Sequence, residues 1–233
     1  MEHVEVSEHD DAIVLLKVDR APANAMNVEL LREVVEAVAL VASETPRALV
    51  IAGRPGCFSA GADLKAVPGY GPAEQREMVA GINAMALGVY ELEFPVVGAI
   101  TGHAIAGGLV LALCTDARVA SSTGRYGLTE VKVGVPYPQA AIGVVRAELA
   151  PQTARLLALG GELTDAAECE RLGVFDEVLD ADEVLDRALH VARRLGALPP
   201  EVYAQTKRDL RAPALEQMRV AVEEDPLLDR WVQ

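Results

Sequence analysis

Between residues 12 and 120 the chain alternates two hydrophobic periods, and that alternation narrows its fold more than any other feature. The runs 12–18 (AIVLLKV), 48–52 (ALVIA), 96–101 (VVGAIT) and 117–120 (ARVA) have the length and composition of strands buried in a sheet. Between the first two, Leu30, Leu31, Val34, Val35, Val38 and Val41 fall at helical spacing. Asn27 stands where an N-cap belongs and Pro46 lies beyond the end, so a helix of about four turns is predicted. Pro72 opens a longer helix toward Glu93, and another starts inside the stretch HAIAGGLVLALCTD at 103–116. Strands and helices in this order arise from right-handed crossovers onto a mostly parallel sheet, so an α/β fold is predicted. The 51% hydrophobic and 4% aromatic composition agrees, because Ala, Val and Leu suit packed helices and buried strands better than an aromatic-rich sandwich.

After Gly134 the pattern is mainly helical. Helices are predicted over 139–149, 151–159, 164–172, 182–195, 200–210 and 213–228, each with Pro, Thr or Asp at its start. The last two form a C-terminal helical region, which divides the chain into 1–195 and 196–233. The interval Gly53–Gly71, rich in Gly and Pro, is too long for a bare connector and is a candidate functional loop.

A net charge of −14, from 21 basic and 35 acidic residues, argues against nucleic acid or an anionic membrane as partner, since both are held by clustered Lys and Arg. Cys57, Cys114 and Cys169 are odd in number and lack CxxC spacing, which suits reduced thiols in a cytoplasmic protein. His3, His9, His103 and His190 show no metal-ligand spacing, so no metal is expected. The acidic start MEHVEVSEHDD has no apolar signal region, and no segment approaches a charge-free membrane span.

Two glycine-bearing turns follow strands and can present free backbone N–H groups: Cys57–Lys65 and Ile105–Gly108. Two such groups aimed at one point would make an oxyanion hole, and plain structural turns are the alternative. A third segment, YGLTEVKVG at 126–134, carries Glu130, which could equally be a surface carboxylate paired with Lys132 or Arg125. Phosphate loops and serine-hydrolase elbows are excluded, because GxxxxGK[ST] and GxSxG are absent from any strand-to-helix setting.

Together these segments resemble the crotonase superfamily, the enoyl-CoA hydratase and isomerase family. FSAGADLK (58–65) is similar to its first oxyanion-hole loop, PVVGAITGHAIAGG (95–108) to the strand and helix start carrying the second, and RYGLTEVKVGVPY (125–137) to its catalytic-glutamate segment. The resemblance continues through AECERLGVFDEVL (167–179). It implies a crotonase-like fold of spiral ββα units and an acyl-CoA thioester substrate, with no cofactor beyond that coenzyme A. It further implies a homotrimer or homohexamer.

Residue by residue, the resemblance puts the oxyanion donors on Ala62 and Gly107 and the catalytic carboxylate on Glu130. Substrate contacts are then expected from Arg20, Ala60, Asp63, Leu64, Lys65, Gly108 and Tyr137, with Lys207 a weaker candidate for the phosphates. Apolar neighbours should raise the pKa of Glu130 toward working pH. Hydratases of the family carry a second glutamate three residues after the oxyanion glycine, where this chain has Val110. Isomerases of the family have an apolar residue there, so the resemblance favours a 3-enoyl-CoA to 2-enoyl-CoA isomerase over a hydratase or a silent acyl-CoA binder.

Overall fold

Strand β3, Ala48–Ala52, is buried on both faces, which is why its sequence shows no alternation. Leu49 and Ile51 enter the larger core, while Ala48, Val50 and Ala52 enter a smaller one. The computed structural model that shows this describes residues 1–9 and 12–232. β3 lies inside a six-stranded sheet with β1 (Val4–His9), β2 (Ile13–Val18), β5 (Val96–Ile100), β7 (Ala117–Ser121) and β9 (Glu177–Leu179), in the order β1-β2-β3-β5-β7-β9. All its pairings are parallel except β1 with β2.

Helix α1 (Val28–Glu44) starts where the Asn27 side chain accepts the Leu30 N–H, and its Leu30, Leu31, Val34, Val38 and Val41 are buried. It packs with α2 (Pro72–Tyr90) and α3 (Gly107–Leu113) in the larger core. The opposite face of the sheet is covered by α8 (Val184–Gly196), whose Val184, Ala188, Val191 and Ala192 meet Val50, Val97 and Val119.

A second sheet was not expected. It has three parallel strands, β4 (Gly56–Ser59), β6 (Gly102–Ile105) and β8 (Tyr126–Gly127), in the order β4-β6-β8. β4 lies within the interval predicted as a functional loop. Strands of two to four residues are too short to display a period, so their sequences carry no strand signal of their own.

The helical second half follows as α4 (Glu130–Val133), α5 (Gln139–Glu148), α6 (Pro151–Gly160), α7 (Ala166–Arg171) and α9 (Pro200–Glu223). The two helices expected over 200–210 and 213–228 are corrected to this single α9, with Pro213 inside it. Pro213 removes one backbone bond, but tertiary anchors hold both sides. Lys207 Nζ lies 2.7 Å from Asp116 Oδ2, Arg211 lies 3.0 Å from Asp116 Oδ1, and Met218 packs on Gly143 of α5. Among the described residues, no helix is long and apolar enough to cross a membrane.

Candidate active site

The small sheet places the site. Its three parallel strands end side by side, and the chain leaving each carboxyl end delivers one of the predicted groups: β4 leads to Ala62, β6 to Gly107 and β8 to Glu130. Ala62, Gly107 and Glu130 all line one cavity of about 130 Å³.

In the turn after β4, three of four successive amides are satisfied internally. Ala60 N–H donates to Ala23 O at 3.0 Å, Gly61 N–H to Ser59 Oγ at 3.2 Å, and Asp63 N–H to Met26 O at 2.8 Å. Among the described residues, the Ala62 N–H has no such partner. The turn is held by the loop before α1, where buried Asn24 donates through Nδ2 to Val18 O and Phe58 O at 2.8 and 3.0 Å. Asn24 adopts φ 48°, a left-handed conformation that Asn tolerates better than most side chains.

The Gly107 N–H opens α3 and likewise has no internal acceptor, as the first amides of a helix do not. The two turns touch. Gly61 has φ +77°, and a Cβ there would stand 2.8 Å from Ile105 O and 3.0 Å from Gly107 N. Preceding Gly107, Ala106 is held at φ 52° and ψ −125°, a strained conformation for a residue with a Cβ. Its amide is fixed to Gly127 O at 2.8 Å, which joins the second turn to β8.

Glu130 is 7% exposed, and its Oε2 is buried without a hydrogen-bond partner. The surface pairing considered for it does not form: Lys132 bonds Glu162 at 2.9 Å, and the Arg125 guanidinium donates to Leu163 O. Burial pushes the Glu130 carboxyl up to about 7, against a smaller lowering effect of the neighbouring Tyr137 hydroxyl. The Tyr137 Oη is itself buried and unpartnered, and burial together with the Glu130 charge raises its pKa. Glu130 is the only ionisable carboxyl or cationic side chain among the described residues lining the cavity. Val110 is fully buried in the larger core and brings no polar group to the cavity.

Of the remaining predicted contacts, Ala60, Leu64 and Tyr137 line the cavity. Gly108 does not, since a Cβ there would stand 2.2 Å from Ser59 O; the glycine lets α3 approach β4. Asp63 accepts from Arg20 at 3.0 Å and from the Lys65 amide at 3.2 Å, so Arg20 and Asp63 brace the turn beside the cavity. Lys65 is exposed and forms no ion pair among the described residues. Lys207 is corrected as a phosphate contact: it is 7% exposed, turned inward to Asp116 and Phe94 O. His103 accepts the Arg125 amide through Nδ1 at 2.9 Å, a structural role.

Sequence reasoning missed Met26, Ile82 and Trp231 in the cavity wall. For Trp231 a signal existed, because it is the single tryptophan of an aromatic-poor chain.

A mostly parallel sheet with a small second sheet, whose strand ends bring two glycine-bearing turns and a buried carboxyl together, defines a protein of crotonase fold. The enoyl-CoA hydratase/isomerase family model matches residues 8–226, and the chain belongs to that family. It is 34% identical over 201 residues to the probable enoyl-CoA hydratase EchA17 of Mycobacterium tuberculosis strain H37Rv, covering 85% of this chain and 76% of that protein. To the mitochondrial enoyl-CoA delta isomerase 1 of Mus musculus it is 31% identical over 216 residues, covering 88% and 72%. The crystal structure of human mitochondrial delta3-delta2-enoyl-CoA isomerase superposes with a TM-score of 0.89 at 27% identity, covering 96% of this chain and 88% of that one.

Proposed function

We propose that this acyl-CoA enzyme is an isomerase that converts a 3-enoyl-CoA into the 2-enoyl-CoA. The single observation that carries the reading is Glu130, the one charged side chain among the described residues lining the cavity, beside two free amides. A 1,3 shift needs one group that takes a proton and gives it back. Glu130 removes the proton from C2, and the C2–H electrons delocalise through the C3–C4 double bond and the thioester carbonyl. The dienolate oxygen is held by the Ala62 and Gly107 N–H groups, each such donor contributing roughly 3–4 kcal/mol to the transition state. Glu130 then returns the proton at C4, leaving the double bond between C2 and C3. A carboxyl poised at about 7 serves both halves, since it must be charged to start and protonated to finish.

Lys65 is the cation available to the phosphates of coenzyme A in this reading. The exposed apolar side chains of Leu156, Leu159 and Val131 support assembly into a homotrimer or homohexamer, and the free thiols of Cys57, Cys114 and Cys169 are in keeping with a cytoplasmic location. Hydration is the second reading, favoured by the unpartnered Tyr137 hydroxyl, which with Glu130 could hold a water. Purified protein supplied separately with 3-hexenoyl-CoA and 2-hexenoyl-CoA decides between them. The isomerase reading expects conjugated product from the first and little 3-hydroxyacyl product from the second; hydration outpacing isomerisation overturns it.

A further inference from the structure

The cavity has a mouth and a floor. Leu64 and Val133, each 46% exposed, mark the mouth; Ile82, Ala141 and Trp231, 5%, 2% and 3% exposed, mark the inner end. Trp231 comes from the segment that follows α9, and two fastenings hold it there.

The first is Asp225, a carboxylate only 3% exposed. Its Oδ2 accepts the Gln139 N–H at 2.9 Å and the Asn83 Nδ2 at 3.0 Å, and its Oδ1 accepts the Leu227 N–H at 3.0 Å. Asn83 in turn accepts the Ala140 N–H at 2.9 Å. The first two amides of α5 are thus capped by side chains from remote segments, because Pro138 in the N-cap position has no side-chain acceptor to offer. A carboxylate at this end also complements the helix dipole.

The second fastening is the indole itself. Trp231 Nε1 donates to Pro136 O at 2.9 Å, within the same turn that carries Tyr137 beside Glu130. The Val232 N–H adds a bond to Gln75 Oε1 at 3.2 Å. With its N–H satisfied, the apolar body of the ring closes the cavity. About 130 Å³ of cavity remains, less than the roughly 300–1,000 Å³ of ordinary small-molecule clefts.

We propose that Trp231 is the specificity-determining wall of the acyl subsite, restricting the substrate to short acyl chains. This rests on the acyl-CoA reading of the cavity given above. Because Trp231 is the single tryptophan, its emission reports on the subsite without any turnover.

The test uses the full chain with saturated, unreactive butyryl-, hexanoyl- and decanoyl-CoA, following Trp231 emission and measuring affinity by calorimetry. Expected are an emission change with butyryl- or hexanoyl-CoA and at least tenfold weaker binding of decanoyl-CoA. Trp231→Ala, with Trp231→Leu as the variant that keeps apolar packing, should bind decanoyl-CoA at least tenfold more tightly than the parent. Equal chain-length profiles in the parent and a folded variant overturn the proposal, as does an emission blind to acyl-CoAs that calorimetry shows to bind. Binding of no acyl-CoA at all overturns the acyl-CoA reading and this proposal together.

Discussion

The Tyr137 hydroxyl and the Glu130 carboxyl stand next to one another in the cavity, and neither buried oxygen has any other group to pair with among the described residues. Tyr137 opposes the effect of burial on Glu130 by favouring its charged form. Removing the hydroxyl in Tyr137→Phe should therefore raise the Glu130 pKa further. Turnover at pH 6 should fall while turnover at pH 8.5 is largely kept, moving the rising limb of the kcat/KM profile to higher pH. An unmoved limb would show that the hydroxyl does not act on Glu130.

Glu130 as the base must be ionised, so kcat/KM is expected to rise with pH through about 7. Glu130→Gln should reduce turnover by a factor on the order of 10²–10⁴.

The same shift makes a stability prediction of opposite sense. A carboxyl whose folded pKa of about 7 lies above its usual 4.5 favours the folded state when protonated, and that contribution is lost as pH rises from 4.5 through 7. Above pH 7 the buried charge costs on the order of 3 kcal/mol. Glu130→Gln should be more stable than the parent at pH 8, with the advantage vanishing near pH 4.5. Denaturant unfolding at the two pH values measures it, and a pH-independent difference would count against the shift.

Gly61 and Gly108 make the two turns fit. Gly61→Ala meets Ile105 O and a positive φ, and Gly108→Ala meets Ser59 O, both backbone atoms that cannot swing aside. Each should cost roughly 1–3 kcal/mol or more in unfolding experiments. Each should also displace the Ala62 or Gly107 amide, so that acyl-CoA turnover falls by more than the loss of folded protein explains.

Asp116, in the turn between α3 and β7, anchors α9 through Lys207 and Arg211, while accepting the Val96 N–H at 2.8 Å. Asp116→Asn leaves two buried cations short of their counter-charge and should cost roughly 3–5 kcal/mol. Lys207→Met should cost less, because Asp116 keeps Arg211 and the Tyr203 hydroxyl. Thermal unfolding of the pair of variants ranks them, and the reverse order would refute the assignment of Asp116 as the hub.

By itself, the sequence determined the frame and the glycine-bearing turns. Strands buried on both faces read as unbroken apolar runs, and helix starts are local, as with Asn27 and α1. The motifs around Ala62, Gly107 and Glu130 were legible for the same reason, since each lies in a contiguous stretch. Edge strand β1 was missed although Val4 and Val6 alternate with Glu5 and Ser7, a pattern the acidic surroundings obscured. Only the tertiary structure decided which groups are free. Of the four amides from Ala60 to Asp63, that of Ala62 has no partner among the described residues, because Ala23, Ser59 and Met26 take the other three. Glu130 is isolated because Lys132 and Arg125 find other acceptors. Trp231 closes the cavity against Pro136, 95 residues earlier in the chain. Periodicity records which face of an element is apolar; it does not record which remote segment will meet that face, and burial and hydrogen-bond pairing depend on that meeting.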